Sequence, residues 1–203
     1  GRVGFVEREN ATIMNSSLGK LADKVISSFK DALKELKIKS PFYISQNDGT
    51  LMSADIVKNY PVLTFASGPT NSMRGAGFLS KKNNAIVVDI GGTTTDFGVI
   101  KEGFPRESAI PVDIGGVRTN FRMPDLISIG LGGGSIIREN NNQVSVGPDS
   151  VGYKLDKEAL IFGGKTLTTS DITVASGDAN FGDKSKVAHI SNDLINKSQN
   201  KIK

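Results

Sequence analysis

The stretch Asp89-Ile90-Gly91-Gly92-Thr93-Thr94-Thr95-Asp96 lies between two apolar runs, Ala85–Asp89 before it and Asp96–Ile100 after it. Apolar runs of strand length on either side of a glycine-threonine turn read as strand, loop, strand. Gly91 and Gly92 lack a Cβ, so the backbone can turn sharply and its N–H groups can approach an anion. Thr93, Thr94 and Thr95 add short hydroxyl donors for phosphate oxygens. Asp89 stands at the exit of an apolar strand, where a carboxylate can hold hydrated Mg²⁺. Asp96, across the hairpin, could bind a water of that ion or orient a nucleophilic water. A tight glycine turn with threonines as strand formers is the purely structural alternative. Two carboxylates bracketing Gly-Gly-Thr-Thr-Thr weigh towards phosphate. The pattern lacks the Gly-x-x-x-x-Gly-Lys-Ser/Thr of a nucleotide P-loop. It is followed by a strand, not a helix, so it is no dinucleotide fingerprint either.

Outward from this loop, Ile127–Ile129 reads as a strand running into a second glycine cluster, Gly130-Leu131-Gly132-Gly133-Gly134-Ser135. Three consecutive glycines leave no side chain to block a ligand, which makes Gly130, Gly132, Gly133, Gly134 and Ser135 candidate nucleotide contacts. A flexible hairpin turn is the alternative. Upstream, an apolar stripe through Leu18, Leu21, Val25, Ile26, Phe29 and Leu33 predicts a helix from about Ser17 to Lys37, capped by Asn15 or Ser16. Phe42–Gln46 and Val62–Phe65 read as strands, and a helix is expected from Pro69 towards Leu79. The unbroken apolar character of Ala85–Asp89 predicts a strand buried on both faces. Ser135–Arg138 and Val144–Val146 read as a hairpin around Asn140-Asn141-Asn142. A helix is expected over Ser170–Ser176, stopped by Gly177, and a second over Val187–Lys203. Strands and helices alternate, so the class is α/β, with residues 1–203 taken as one domain.

The chain has 203 residues, 37% hydrophobic and 23% charged, which suits a globular core. Its net charge of +4 owes much to Lys184, Lys186, Lys197, Lys201 and Lys203. No basic stripe interleaved with aromatics is visible, so nucleic acid is not an expected partner. There is no cysteine, which excludes disulfides and thiolate metal sites and suits the cytoplasm. No run approaches the ~20 apolar residues of a membrane-spanning helix. An abrupt start without methionine suggests an excised fragment.

Strand–loop–strand with Asp and Gly-Thr resembles the first phosphate loop of the sugar-kinase, Hsp70 and actin superfamily. Several ordered blocks narrow this to one family. Arg2–Thr12, Gln46–Gly49, Ala66–Ser72, Val88–Asp96, Ser128–Ile136, Val146–Pro148 and Thr168–Ile172 resemble the central region of the hydantoinase/oxoprolinase A subunits. The resemblance implies a ribonuclease-H-like fold of the actin, Hsp70 and sugar-kinase type, a mixed sheet flanked by helices. It also implies ATP-driven, Mg²⁺-assisted opening of a cyclic amide such as hydantoin or 5-oxoproline, with relatives that carboxylate ketones. ATP would phosphorylate the amide oxygen, and water would then attack the activated ring carbon. Further N- and C-terminal regions of the same polypeptide, and a hydantoinase B-type subunit or region, are the implied partners. By itself the 203-residue chain is expected to be inactive in ring opening. A small-molecule kinase of the same superfamily and a non-catalytic nucleotide-binding module are the alternatives.

The family often places a histidine in an Asp-x-His setting before the second glycine cluster. Here the stretch is Asp125-Leu126-Ile127, and His189 in the tail is the chain's single histidine. Asn47 and Asp48 end a strand where ligand-facing loops collect, and Asp125 precedes the glycine cluster, so all three are candidate substrate contacts. Arg74 could pair with a phosphate, Asp171 is expected to cap a helix, and Arg118 and Arg122 could reach an acidic partner.

Overall fold

The computed structural model describes residues 3–202. Gly1, Arg2 and Lys203, and with them the ends of the opening block and of the expected tail helix, lie outside the described residues. In chain order the elements are α1 (Phe5–Glu35), β1 (Tyr43–Ser45), β2 (Leu51–Ser53), α2 (Ala54–Asn59), α3 (Ser67–Ser80), β3 (Ala85–Ile90), β4 (Thr95–Lys101), β5 (Phe104–Pro105), β6 (Val112–Ile114) and β7 (Val117–Thr119). There follow β8 (Leu126–Ile129), β9 (Ser135–Asn140), β10 (Gln143–Ser150), α4 (Leu155–Glu158), α5 (Thr169–Ser176) and α6 (Asn192–Ile202). Two compact units result, one of residues 3–87 and 98–126, the other of residues 88–97 and 127–202.

In the first unit α1 begins twelve residues before the expected Ser17, and Asn15 explains the difference. Instead of capping the helix, its Nδ2 donates to the Asn59 carbonyl at 2.8 Å and its Oδ1 accepts from the Val62 N–H at 3.2 Å. Asn10 likewise donates to the Arg118 carbonyl at 2.9 Å. Such partners lie far along the chain, so a local reading mistakes a mid-helix asparagine for a cap. The inner face of α1 puts Ile26 against Met52, Ala54 and Val57. Val62–Phe65 is not a strand. Pro61–Thr64 forms a 3₁₀ turn, because Pro61 fixes φ at its first position and the Thr64 hydroxyl donates back to the Pro61 carbonyl at 2.7 Å. Val62 then packs with Phe121 and Met123, and Phe65 stacks on Phe121 with ring centroids 5.9 Å apart. β1 and β2 form an antiparallel hairpin with Ile44 opposite Met52, so Asn47-Asp48-Gly49 is its turn.

Strands β3, β4 and β5 lie side by side, and β8 also pairs with β4. The expectation that the β3 run is buried on both faces fails. Ile86, Val88 and Ile90 are 77%, 47% and 73% exposed, while Ala85, Val87 and Asp89 are half-buried. A continuous apolar run says that both faces can be covered, not that this chain covers both.

In the second unit β9 and β10 pair as expected, with Asn141 and Asn142 both at positive φ (50° and 64°). That is the backbone twist a two-residue hairpin turn needs, and asparagine tolerates it. Ile137 and Val144 of this hairpin pack on Ile172 and Ile195. α5 carries a full capping box between Thr168 and Asp171 and stops at Gly177 (φ 87°). The fully buried Asp171 carboxylate accepts from the Thr168 N–H and hydroxyl at 2.7 and 2.8 Å and from the Ile161 N–H at 2.8 Å. The tail helix starts at Asn192 and not at Val187, which ends a separate 3₁₀ turn capped by Asp183. His189 is therefore an exposed residue before α6. Among the described residues no helix is long and apolar enough to cross a membrane.

Candidate functional site

The Gly91 N–H donates to the Thr94 carbonyl at 2.9 Å, closing a tight turn with Gly92 and Thr93 at its tip. Gly91, Gly92 and Thr93 are exposed, and a Cβ placed on Gly92 would meet nothing within 4 Å. The second glycine cluster lies directly behind this turn. The Gly133 N–H donates to the Gly91 carbonyl at 2.9 Å, and the Gly134 N–H donates to the Gly92 carbonyl at 2.7 Å. In a trans peptide the carbonyl and the following N–H point in opposite directions. With the Gly91 and Gly92 carbonyls turned into the glycine cluster, the N–H groups of Gly92 and Thr93 point away from it, out of the turn. Two amides aimed outward from an exposed glycine tip are an arrangement that can accept an anion.

Gly132 and Gly134 are required by close approach to backbone. A Cβ on Gly132 would stand 2.5 Å from the Gly91 carbonyl oxygen and 2.7 Å from the Thr93 nitrogen. One on Gly134 would stand 2.8 Å from Ser150 Oγ and 2.9 Å from the Gly92 carbonyl oxygen, and one on Gly133 3.0 Å from Ser170 Oγ. Hydroxyls complete the brace. Thr95 Oγ1 donates to the Leu131 carbonyl at 2.6 Å, Ser150 Oγ to the Gly92 carbonyl at 3.2 Å, and Thr169 Oγ1 to the Gly132 carbonyl. Ser135 Oγ accepts the Gly132 N–H at 2.9 Å. Thr95 and Ser135, expected to face phosphate and nucleotide, are thus buried and committed inside the chain. Gly130 is exposed and Gly133 half-buried. Ser150 and Thr169 were not singled out from the sequence as parts of the site. Thr169 lay in the block Thr168–Ile172, which carried resemblance but no chemistry, and Ser150 lay in none of the blocks.

Strand alternation sorts the remaining side chains. Val88 and Ile90 of β3 and Thr95 and Phe97 of β4 line one cleft of about 290 Å³, together with Leu131 and Thr169. Asp89 and Asp96 therefore share the opposite face, and a hairpin closed at Gly91 and Thr94 makes them cross-strand neighbours. Like charges so placed repel, and a cation between them would relieve this. Among the described residues no group of three or more His, Cys, Asp or Glu could hold a metal. Two carboxylates with the rest of the shell from water and phosphate is a donor set that suits Mg²⁺.

The other candidates belong to the first unit. Asn47 is buried, with Nδ2 donating to the Arg122 carbonyl. Asp48 Oδ1 accepts from the Thr50 N–H and hydroxyl at 2.9 and 2.6 Å. Asp125 pairs with Arg106. Arg74 donates to the Gly103 carbonyl and sits over the Phe104 ring, 4.2 Å from its centroid. Arg122 lies 3.4 Å from Glu107, and Arg118 4.0 Å from Glu7.

Residues 8–181 match the family model described as Hydantoinase/oxoprolinase. The chain is similar to the acetophenone carboxylase gamma subunit of Aromatoleum aromaticum, 28% identical over 88% of this chain and 25% of that one. It is also similar to the caprolactamase alpha subunit of Pseudomonas jessenii, 27% identical over 84% of this chain and 25% of that one. Among solved structures, a nucleotide-free acetone carboxylase superposes with a TM-score of 0.73 at 25% identity, covering 92% of this chain and 28% of that one. The ATP-dependent caprolactamase from Pseudomonas jessenii superposes with a TM-score of 0.66 at 25% identity, covering 89% and 27%. The chain thus spans about a quarter of the length of these relatives. Its fold is the α/β, actin-type fold that the sequence led us to expect.

Proposed function

The chain belongs to the hydantoinase/oxoprolinase family, and on that premise we propose that the Gly91–Thr94 turn holds the phosphates of ATP in an enzyme that opens a cyclic amide. The observation that carries this reading is the outward aim of the Gly92 and Thr93 amides, fixed from behind by Gly133 and Gly134. Those amides, with the Thr93 and Thr94 hydroxyls, donate to phosphate oxygens. Such donors are in place before reaction, so they stabilise transferring charge without reorganising. Asp89 and Asp96 hold Mg²⁺ through its waters, and the ion supplies charge neutralisation at the phosphates. Gly130 and Gly133 are the positions of the second cluster where further nucleotide contact falls. In this reaction the terminal phosphoryl group passes to the amide oxygen, water adds to the ring carbon, the C–N bond breaks with the proton going to the leaving amine, and a second water releases phosphate from the resulting acyl phosphate.

Hydantoin, 5-oxoproline and larger lactams share this chemistry. ATP-dependent use by the caprolactamase structure supports the amide reading. A second reading, activation of a ketone for carboxylation, is favoured by the relatives named as acetophenone and acetone carboxylase subunits. Those relatives are subunits, which supports work with further regions of the polypeptide and with a B-type partner. The absence of cysteine supports a cytoplasmic setting.

The test is ADP release coupled to hydantoin, 5-oxoproline or caprolactam by the enzyme that carries this chain, beside its Asp89→Asn variant. Loss of one well-placed charge partner should lower turnover by about a hundredfold with an unchanged circular dichroism spectrum. Unchanged turnover in a folded variant would remove Asp89 from the site. ADP formed with a phosphorylated product and no ring opening would identify a kinase instead.

A further inference from the structure

A second cleft, of about 410 Å³, lies in the first unit. Leu63 and Phe121 give it apolar wall, and Gln46, Asn47, Asp48, Glu107, Asn120 and Arg122 supply its polar groups. Its volume falls in the usual range for a small-molecule site, but its lining residues are mostly polar, with Leu63 and Phe121 as the apolar ones.

Asn47 is the informative residue. It is 2% exposed and held by its own backbone, its N–H donating to the Leu63 carbonyl at 2.8 Å and its carbonyl accepting from Thr70 Oγ1 at 3.2 Å. Its side-chain amide is oriented without ambiguity. Nδ2 faces two acceptors, the Arg122 carbonyl and Met123 Sδ, the latter at 3.7 Å, so the nitrogen must stand there and the oxygen on the other side. Asn47 Oδ1 accepts no hydrogen bond among the described residues, and it is not among the side-chain atoms sealed from solvent without a partner. It therefore opens on the cleft that Asn47 lines. A buried amide oxygen fixed in place and left open to a cleft is a ready acceptor for a ligand N–H. Arg122 borders the same cleft with its side chain 68% exposed, and its one ion pair among the described residues, with Glu107, leaves most of its five N–H donors available for a carbonyl oxygen.

We propose that this cleft is a recognition subsite for the cis amide of a lactam ring, with Asn47 Oδ1 accepting the ring N–H, Arg122 donating to the ring carbonyl, and Leu63 and Phe121 covering the ring carbons. The proposal rests on the reading of the chain as part of a cyclic-amide enzyme and narrows it. In a small lactam the amide is held cis, so N–H and C=O lie on one edge of the ring and can be read together. A ketone of the same shape lacks the N–H, and would leave Asn47 Oδ1 desolvated and unpaired. Asn47 thereby discriminates between the two substrate classes that the family's relatives are named for.

The experiment is NMR titration of the isotope-labelled chain with three probes of one ring size: caprolactam, N-methylcaprolactam and cycloheptanone. Caprolactam is expected to shift the Asn47 side-chain amide, the Arg122 Nε–H and the Phe121 ring signals. N-methylcaprolactam and cycloheptanone should bind about tenfold more weakly, the usual consequence of one unmade buried hydrogen bond. Arg122→Ala, a change at an exposed side chain, should weaken caprolactam by about as much while leaving the backbone spectrum intact. Equal binding of all three probes, caprolactam shifts elsewhere, or no shifts at all would overturn the subsite. Mg²⁺ and ATP are titrated separately and read at the Gly92 and Thr93 amides. Shifts there without lactam shifts would sink the subsite and spare the phosphate loop, and the converse would do the opposite.

Discussion

The chain has two glycine-rich turns, and they are glycine for opposite reasons. At Gly92 an added Cβ meets open space, whereas at Gly132 it meets the hairpin backbone at 2.5 Å and at Gly134 a hydroxyl and a carbonyl oxygen under 3 Å. One turn has room in front of it, and the other is pressed at Gly132 and Gly134 against the back of the first. A glycine run therefore need not be a ligand cradle. Gly133 and Gly134 draw the Gly91 and Gly92 carbonyls backwards and so turn two amides outward. None of Gly92, Gly132, Gly133 and Gly134 has a left-handed backbone. Substitution by alanine thus reads space alone, and a series of alanines measures the difference.

Gly132→Ala should have the largest effect. Its Cβ would overlap three backbone atoms of the hairpin, none of which can rotate away. Overpacking of this kind costs about 3 kcal/mol, and more where only backbone can yield. Thermal or urea unfolding should show that loss. A melting curve close to that of the unaltered chain would mean that the hairpin and the cluster are not packed as described.

Gly134→Ala comes next. Two of its three close neighbours are side-chain atoms, Ser150 Oγ at 2.8 Å and Val151 Cγ2 at 3.1 Å, so part of the strain can be relieved by rotation. A cost of about 1–2 kcal/mol is expected. Gly134→Ala with Ser150→Ala should recover part of it, because the second change removes the nearest of the three contacts. Failure of the double variant to improve on the single one would place the strain in the Gly92 carbonyl contact at 2.9 Å instead.

The two turns also differ in how far a sequence can disclose them. The Gly91–Thr94 hairpin was legible because its signals are local: an apolar run, glycines, threonines, a second apolar run. The hairpin at Asn141 and Asn142 and the Thr168–Asp171 capping box were legible for the same reason. The role of Gly132–Gly134 was not, because what makes them glycine is the backbone of residues some forty positions earlier, and nothing near them names it. Thr95 and Ser135 misled for a related reason. A hydroxyl beside a glycine turn reads as a free donor until its distant partner, here the Leu131 carbonyl or the Gly132 N–H, is in place. Asn15 and Asn47 show the same limit in the first unit. Asn15 read as a cap and Asn47 as a strand-end candidate for substrate contact, and each is held by groups more than forty residues away.

Gly92→Ala should have the smallest effect on stability, and it is the variant that separates the two turns most sharply. Its Cβ has no neighbour within 4 Å, and its φ lies outside the left-handed region, so the methyl group brings neither overlap nor backbone strain. Loss of glycine's freedom in the unfolded chain favours the folded state by about 0.4–1 kcal/mol. The melting temperature should therefore hold or rise slightly, in contrast to both variants of the second cluster. The same methyl group stands at the exposed tip from which the Gly92 and Thr93 amides point. If phosphate binds there, the methyl competes with it, and affinity for Mg²⁺ and ATP should fall by about tenfold, the loss of roughly one hydrogen bond. Calorimetry and a melting curve on one sample decide the matter. Stability retained with weakened nucleotide shows that the space before Gly92 is kept for a ligand. Stability retained with nucleotide affinity unchanged would make Gly92 an ordinary turn residue and take the open half of the comparison away.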